Sequence, residues 1–313
     1  MVENVVIIGS GPAGLSAAIY TAREEFSPLL IKGTGAGGQL LLTTDVENYP
    51  AFERIAGPQL IRSMEQHATK FGTRFLEGDV TRVDLRAKPI KVYLGETVIE
   101  TNSLIISTGA SSKWMGLQSE KNFIGRGVSS CATCDAVFFK NKDVIVVGGG
   151  DTAMEDSLFL TKFVNSVTVV HRRDSLRASK IMQQRALTNP KIKFIWDTAV
   201  EEVLGDKKVS GAKLRNLKTD QVTEMKTDGI FVAIGHQPNT ELFKGQLELD
   251  DQGYIITKDD VLTNIRGVYA AGDVADRFYK QAITAAASGV KAALRVREYL
   301  SMLKFEEEQK AKH

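Results

Sequence analysis

Two parts of the chain share one pattern of apolar residues and glycines. Residues 5–8 (VVII) form an unbroken apolar run that enters the glycine-rich segment 9–14, after which apolar residues recur at helical spacing. Residues 144–147 (VIVV) enter the segment 148–153 in the same way, and a helical spacing follows as far as Phe163. Unbroken β-branched runs are typical of parallel strands that are buried on both faces. The pattern therefore predicts two strand–turn–helix units of the dinucleotide-binding kind.

A third segment, near the C-terminus, changes the predicted order of the domains. Residues 267–274 (GVYAAGDV) read as another strand with a glycine turn, and they precede a helical pattern over residues 282–299. If this segment completes the first unit, the second unit is inserted within the first. We predict an α/β fold of two Rossmann-like, three-layer ββα dinucleotide-binding domains. The first comprises residues 1–113 and 244–313, and the second comprises residues 114–243.

Composition and charge restrict the class of protein. The 313 residues are 43% hydrophobic and 25% charged, which is typical of a globular chain. The net charge of +2, from 40 basic and 38 acidic residues, predicts no overall attraction to nucleic acid or to an anionic membrane. No apolar run approaches the ~20 residues that span a bilayer, and residues 5–8 lead into a glycine turn rather than a signal peptide. We therefore expect a cytoplasmic protein with neither nucleic acid nor a membrane as a partner.

The first glycine segment has the spacing Gly9-x-Gly11-x-x-Gly14, in which each glycine has a steric role. Gly9 permits the tight turn, Gly11 permits close approach of a pyrophosphate, and Gly14 permits close packing of the helix. The N–H groups at the start of that helix attract phosphate. The alternative is that these glycines serve an ordinary turn and helix cap. Lys32 replaces the acidic residue expected about 20 positions on to bind a ribose, so the pattern predicts the pyrophosphate site but not that contact.

The second glycine segment leads to a basic cluster at the position that decides nucleotide specificity. After residues 148–153 and the next predicted strand, the cluster comprises His171, Arg172, Arg173 and Arg177. An NAD site has an acidic residue there, whereas guanidinium groups match the 2′-phosphate of NADP. Two charge-assisted contacts of about 1.5–3 kcal/mol each would favour NADPH over NADH by roughly 100-fold or more. The alternative is a solvated basic patch.

The two cysteines of the chain stand together as Cys131 and Cys134. They are half of a zinc site, a structural disulfide or a redox pair. Zinc requires four ligands, and the four histidines are scattered along the chain. A disulfide that closes so short a loop removes little chain entropy, whereas a CxxC dithiol is readily oxidised and reduced. The pattern favours the redox pair. Asp135 follows directly, either as a proton carrier for the thiols or as an N-cap of the next helix.

Motifs along the chain, taken together, resemble those of one protein family. They are GSGPAG at 9–14, GGQL at 37–40 with VENYP at 46–50, CATCD at 131–135, GGGDTA at 148–153, HRR at 171–173 and AAGDV at 270–274. In this order they are similar to the motifs of low-molecular-weight thioredoxin reductases, which are FAD-dependent pyridine nucleotide-disulfide oxidoreductases. The resemblance covers essentially the whole chain, and the combination of CATCD with HRR is specific.

The resemblance implies two cofactors, FAD in the first domain and NADPH in the second, and no metal. The residues expected at FAD are Gly9, Ser10, Gly11, Pro12, Ala13, Gly14, Gly38, Gln39, Asn48, Gly109, Gly272, Asp273, Gln281 and Ala282. The residues expected at NADPH are Gly150, Asp151, Thr152, Ala153, His171, Arg172, Arg173 and Arg177, with the arginines at the 2′-phosphate.

The resemblance also implies roles for the CxxC pair and two partners. Cys134 is expected to be the thiol nearer the flavin, Cys131 the thiol that attacks thioredoxin, and Asp135 the proton carrier. Members of the family are homodimers, with the FAD domain supplying most of the interface. The chain departs from the family pattern at Ala136, where glycine is common, and at Lys280, where arginine is common.

The position of the CxxC pair predicts a domain motion. The pair precedes the second glycine segment, so nicotinamide and disulfide belong to one domain and compete for the flavin. We therefore expect the domains to rotate between half-reactions. The alternatives are a flavin-dependent dithiol oxidase, which does not need the basic cluster, a flavoprotein that reduces ferredoxin, which does not need CxxC, and a non-enzymatic NADPH-binding redox sensor. Residues 137–139 (VFF) are either a docking surface for thioredoxin or part of the core.

Overall fold

The computed structural model describes residues 2–42 and 45–310, which form two compact units. The first unit is Met1–Ser111 with Gln237–His313, and the second is Ser112–His236. The predicted domain ends at residues 1 and 313 lie outside the described residues. The predicted α/β fold class is confirmed, while the assignment of one cofactor to each domain stays a prediction.

Helices alternate with strands over residues 3–76 and 118–195, and consecutive strands follow each of these two stretches. In chain order the strands are β1 Glu3–Ile8, β2 Leu29–Ile31, β3 Arg74–Leu76, β4 Arg82–Asp84, β5 Ile90–Leu94, β6 Thr97–Ile106, β7 Ala110–Ser112, β8 Val128–Ser129, β9 Asp143–Val147, β10 Ser166–Val170, β11 Ile192–Ile195, β12 Thr198–Gly205, β13 Val209–Asn216, β14 Val222–Lys226, β15 Gly229–Val232, β16 His236–Pro238 and β17 Val268–Ala270. The α-helices are α1 Pro12–Arg23, α2 Gly57–Lys70, α3 Gln118–Phe123, α4 Ala132–Asp135, α5 Asp151–Leu160, α6 Lys180–Leu187 and α7 Ala282–Lys310. The 3₁₀ helices are Gly38–Leu42, Ala136–Phe139 and Glu241–Phe243.

The first unit is built on a mixed sheet with the strand order β3-β2-β1-β6-β5-β4, in which β17 also pairs with β6. Strand β1 lies parallel to β2 and β6, so its last four residues are buried, as the unbroken apolar run predicts. Strand β17 pairs in parallel with the end of β6. The segment near the C-terminus therefore completes the sheet that the N-terminus begins.

Helices α1 and α7 lie against each other because small residues face the contact. A Cβ atom on Gly289 would lie only 2.0 Å from the carbonyl oxygen of Ala13. Helix α7 continues to Lys310, beyond the helical pattern predicted to end at residue 299. Leu303 packs on the core in this extension, and Arg266 pairs with Glu306 at 2.8 Å. No helix in the described ranges is both long enough and apolar enough to span a membrane.

The second unit contains a parallel five-stranded sheet with the order β11-β10-β9-β15-β8. An antiparallel sheet of β12, β13 and β14 follows in the chain, and β7 pairs with β16 in a separate two-stranded sheet. Helix α5 ends at Leu160, before Phe163, where the apolar spacing continues. The backbone N–H groups of Lys162 and Phe163 bond three residues back, which tightens the chain into a turn, and Phe163 still packs on the core.

Ala51 has a left-handed backbone with φ of 79° and an exposed side chain. A Cβ atom is unfavourable in this region, whereas glycine adopts it freely. We expect Ala51→Gly to raise the free energy of unfolding by about 0.5–1 kcal/mol, because the relief of strain exceeds the extra entropy of the unfolded chain. Urea denaturation measures the change. Ala51→Val, which adds a branched side chain, should shift the midpoint in the opposite direction, and equal midpoints for all three proteins would contradict the strain.

Candidate functional site

The first glycine turn connects β1 to α1 and leaves one glycine facing open space. Gly9 has φ of 106°, and a Cβ atom there would lie 2.3 Å from the carbonyl oxygen of Ser107. A Cβ atom on Gly14 would lie 1.9 Å from the carbonyl oxygen of Gly9. Nothing lies within 4 Å of the corresponding position at Gly11, the N-cap of α1, where no side chain caps the helix. Packing thus accounts for two of the glycines, and the third stands where a phosphate would approach the helix N-terminus.

Ser10 joins this turn to the loop that contains Gly38 and Gln39. Its Oγ accepts a hydrogen bond from the N–H of Gly37 at 2.9 Å and donates to the carbonyl of Lys32 at 3.3 Å. Gly38 begins the 3₁₀ helix that follows. Ser10 therefore holds two of the segments expected at FAD in one place.

Lys32 stands where a ribose-binding acid was expected, and its charge is balanced by carboxylates. Its Nζ lies 2.8 Å from Glu65 and 3.7 Å from Glu77. The hydrogen bond to Glu65 is the main reason that the pKa of Lys32 lies above its usual value, against a smaller opposing effect of burial. The Lys32 side chain therefore forms ion pairs with these two carboxylates.

Asn48 and Gln281, far apart in sequence, meet in the first unit. Asn48 Nδ2 donates to Gln281 Oε1 at 3.1 Å. Gln281 directly precedes Ala282, the first residue of α7, and it ends a turn in which the carboxylate of Asp276 accepts backbone N–H bonds at 2.8–3.3 Å. Both residues are expected at the flavin, and this hydrogen bond joins the N-terminal and C-terminal parts of the first unit there.

Gly272 and Asp273 follow β17 at the start of the next loop. Burial, and then the charge of Asp276, raise the pKa of Asp273 to about 6, while Lys280 opposes the shift. Such a carboxyl group is desolvated enough to accept a hydrogen bond from a buried hydroxyl with little competition from water. Gly109 follows β6, and its carbonyl accepts the N–H of Asn239 at 3.0 Å. All the residues expected at FAD therefore belong to the first unit.

The second glycine turn, between β9 and α5, repeats this arrangement. A Cβ atom on Gly148 would lie 2.4 Å from the carbonyl oxygen of Ala233, whereas nothing lies within 4 Å of that position at Gly150. Thr152 and Ala153 continue into α5, with Ala153 fully buried. Gly150, like Gly11, is the N-cap and faces open space at the helix N-terminus.

The segment that carries the arginines is fastened to this turn. The carbonyl of Gly149 accepts the N–H groups of Arg177 at 2.7 Å and Ala178 at 3.2 Å. The carboxylate of Asp151 accepts from both the N–H and the hydroxyl of Ser179 at 2.8 Å, which holds the pKa of Asp151 below its usual value. These hydrogen bonds hold the basic segment close to the N-terminus of α5, where a phosphate would approach.

The four basic residues of the cluster occupy two different environments. Arg172, Arg173 and Arg177 are exposed, and within the described ranges none of them forms a salt bridge. His171 is only 4% exposed, and its Nε2 lies 3.1 Å from the carbonyl of Ser175. Burial is the main reason that the pKa of His171 is lowered, which favours the neutral ring. The three arginines are available to an anion, whereas the histidine lies beneath the loop.

Gly149 leaves no room for a side chain, because a Cβ atom there would lie 2.3–2.6 Å from atoms of the His171 ring. We expect Gly149→Ala to lower the free energy of unfolding by about 1–3 kcal/mol through overpacking and to weaken NADPH binding by displacing the turn. Chemical denaturation and calorimetric titration with NADPH measure the two effects.

Gly150→Ala is the matched control for that substitution. Its Cβ atom meets open space, so stability should stay within about 0.5 kcal/mol of the parent while NADPH binding falls. Equal stability of the two variants would contradict the packing of His171 against Gly149.

The CxxC pair forms a disulfide between Cys131 and Cys134 at the start of α4. The N–H of Cys131 donates to Ser129 Oγ at 3.0 Å, and the N–H of Asp135 donates to the carbonyl of Cys131 at 3.2 Å. The sequence motifs do not indicate Ser129, although a serine hydroxyl that accepts the backbone N–H two residues on is a common way to fix a turn. These hydrogen bonds fix the backbone conformation of the segment that contains the disulfide.

Asp135 is the last residue of α4 and is followed by the 3₁₀ helix Ala136–Phe139. It stands at the N-cap position of that helix, but its side chain makes no capping hydrogen bond there. Burial raises the pKa of Asp135, against a smaller lowering by a hydrogen bond with Ser129. A carboxyl group whose protonated form is favoured in this way, directly after the disulfide, is able to exchange a proton with a thiolate.

Residues 137–139 divide between surface and core. Val137 is 46% exposed and Phe138 is 37% exposed. Phe139 is 8% exposed, packs edge-on against Phe231 with ring centroids 5.1 Å apart, and fills the space beside Gly229. The core interpretation is therefore correct for Phe139, whereas docking of thioredoxin at the exposed Val137 and Phe138 stays a prediction.

Comparison with known proteins shows similarity over nearly the whole chain. The family described as pyridine nucleotide-disulphide oxidoreductase matches residues 3–289. A thioredoxin reductase of Rickettsia prowazekii (strain Madrid E) is 54% identical over 304 residues, 95% of this chain and 98% of the relative. A thioredoxin reductase of Streptomyces coelicolor is 50% identical over 311 residues, 98% of this chain and 96% of the relative. The crystal structure of thioredoxin reductase from Streptococcus pyogenes MGAS5005 matches with a TM-score of 0.92 at 42% identity, covering 95% of this chain and 98% of that one.

Proposed function

The chain belongs to the pyridine nucleotide-disulphide oxidoreductase family, and from this we propose that it reduces the disulfide of thioredoxin with electrons from NADPH, through FAD. The observation that carries the proposal is the Cys131–Cys134 disulfide, which lies in the same unit as an arginine-lined nucleotide turn. Near-full-length similarity to proteins named thioredoxin reductase supports it.

The two glycine turns fit the two dinucleotides. At Gly11 and Gly150 the backbone at a helix N-terminus borders open space, which suits a pyrophosphate. Asn48, Asp273 and Gln281 are proposed to contact FAD from both parts of the first unit. When bound, FAD supplies a two-electron carrier between the nicotinamide and the disulfide. In the second unit, the exposed arginines of the basic cluster are proposed to bind the 2′-phosphate of NADPH, while His171 supports the turn from below.

The residues of the CxxC segment carry the exchange with the protein substrate. In the reduced dithiol, the Cys131 thiolate attacks one sulfur of the substrate disulfide, forms a mixed disulfide and releases the other substrate sulfur as a thiolate. Cys134 then attacks Cys131, restores the internal disulfide and releases the second thiolate, so two electrons have passed to the substrate. Asp135 donates or accepts the accompanying proton, for which its raised pKa suits it.

Domain rotation between the half-reactions is part of the proposal. The disulfide and the proposed NADPH site belong to one unit and the proposed FAD site to the other, so both redox partners require the same flavin in turn. Crosslinking the two units in a single orientation should stop steady-state turnover but permit one half-reaction. Full turnover of the crosslinked protein would exclude the rotation.

Phe138 is proposed, with Val137, to contact thioredoxin beside the disulfide. Exposed aromatic side chains are often those whose removal weakens an interface most. We expect Phe138→Ala to raise the KM for thioredoxin roughly fivefold or more, corresponding to at least ~1 kcal/mol, with a smaller change in kcat. Phe305→Ala, at an exposed aromatic on α7 in the other unit, is the matched control. Equal KM values for the two variants would exclude docking at Phe138.

A homodimer and a cytoplasmic location complete the proposal. The homodimer is expected to form mainly through the first unit, and sedimentation of the purified protein tests it. Fractionation of cells tests the location.

Oxidation of NADPH by the purified yellow protein, with and without thioredoxin, tests the function. Turnover that requires thioredoxin supports the reductase. Consumption of O₂ without thioredoxin identifies a dithiol oxidase, and NADPH binding without turnover on any disulfide protein identifies a redox sensor.

A further inference from the structure

The hydroxyl group of Thr133 lies beside one sulfur of the CxxC pair. Thr133 Oγ1 is 3.4 Å from Cys131 Sγ, within hydrogen-bond range for sulfur. A sulfur in a disulfide carries no proton, so the hydroxyl is the donor in this contact. Thr133 is exposed and Cys131 is partly exposed, so the contact lies at the surface that a protein substrate must reach.

Neither core packing nor helix propensity favours a threonine at this position. Its side chain is exposed, so it contributes little to the core. It lies within the short helix α4, where threonine has a lower helix propensity than alanine. The hydroxyl group of the side chain donates a hydrogen bond to the sulfur of Cys131, and this contact indicates a chemical role for the residue.

The strength of this contact depends on the redox state of the cysteine. A disulfide sulfur is a weak acceptor, whereas a thiolate accepts a charge-assisted hydrogen bond. The Thr133 hydroxyl therefore stabilises Cys131 more after reduction than before it. An interaction that strengthens in the reactive state lowers the thiol pKa and increases the fraction of thiolate at neutral pH.

We propose that Thr133 is a further catalytic residue, whose hydroxyl donates a hydrogen bond to Cys131 Sγ and stabilises the thiolate that attacks the substrate disulfide. The inference rests on the proposed function for the identity of that substrate. In the attack, the Cys131 thiolate forms a bond to one substrate sulfur as the substrate S–S bond breaks, and the departing sulfur takes the electron pair. The proton of the hydroxyl group stays bonded to the Thr133 oxygen during the attack, and only its hydrogen bond to Cys131 Sγ changes.

The two-cysteine composition permits a direct test. In a Cys134→Ser background, Cys131 is the only thiol of the chain. The rate of alkylation by iodoacetamide against pH then reports the pKa of this single thiol in the FAD-loaded protein. We expect Thr133→Val, which keeps the shape but removes the hydroxyl, to raise that pKa by about half to one unit. The rate at pH 7 should fall roughly three- to tenfold.

Thr133→Ser in the same background separates chemistry from packing. It restores the hydroxyl without the methyl group, so we expect the thiol pKa and the alkylation rate to return to within about twofold of the threonine protein. An unchanged pKa in the valine protein, or a serine protein that behaves like the valine one, overturns the proposal.

The outcome is independent of the proposed function. Alkylation requires neither NADPH nor thioredoxin, so a protein that fails to reduce thioredoxin still reports whether Thr133 tunes Cys131. Conversely, an unchanged thiol pKa leaves thioredoxin-dependent turnover to be judged by its own assay.

Discussion

Replacing Cys134 with serine is expected to abolish NADPH-dependent reduction of thioredoxin, with a loss of roughly 10³-fold or more. The Cys131–Cys134 disulfide is the internal relay for two electrons, and a serine oxygen forms no disulfide. Electrons from the flavin then have no internal acceptor, and a mixed disulfide at Cys131 has no internal thiol to resolve it. NADPH oxidation followed at 340 nm in the presence of thioredoxin measures the loss.

Two controls separate loss of the relay from loss of the fold. The Cys134→Ser protein should bind NADPH with unchanged affinity, because the nucleotide turn does not include the cysteines. It should also bleach its flavin on addition of NADPH in a single turnover. Continued turnover with thioredoxin would show that the CxxC pair is not the path of the electrons.

The elements that the sequence predicted most securely are those dictated by local sterics. Strands β1 and β9 each end in an unbroken apolar run, which enters a glycine turn that admits no Cβ atom at its first position. A buried strand followed by a helix N-terminus needs only neighbouring residues for its definition. The same locality explains why the start of α7 could be predicted but its end could not, since residues beyond 299 are held by contacts with distant parts of the chain.

The supporting contacts of the candidate site could not be predicted, because they join residues far apart in sequence. Asn48 meets Gln281, and Lys32 meets Glu65, with no local pattern that indicates either pair. The sequence places His171 in the basic cluster because it adjoins the arginines, whereas in the structure its ring packs against Gly149. A signal for that packing was present: the GxGxxA spacing does not require the middle glycine of GGG, so Gly149 needed another reason.

The second large effect is expected at the arginines that follow β10. Replacing Arg172 and Arg173 together with alanine should reduce the preference for NADPH over NADH by roughly 100-fold. Each guanidinium bond to a phosphate contributes about 1.5–3 kcal/mol, and NADH lacks the 2′-phosphate that receives it. Affinity for NADH should therefore change little, which calorimetric titration with both nucleotides measures.

Arg185→Ala provides the matched control, because Arg185 is an exposed arginine on α6 of the same unit and lies outside the basic cluster. That variant should keep the parent preference. Raising the salt concentration should also weaken NADPH binding more in the parent than in the double variant, because exposed charges are screened. If the double variant lost affinity for NADPH and NADH equally, the arginines would act on the shape of the turn rather than on the 2′-phosphate. The bonds from Arg177 and Ala178 to the Gly149 carbonyl argue against that outcome, since backbone groups, which the substitutions leave in place, hold the turn to the basic segment.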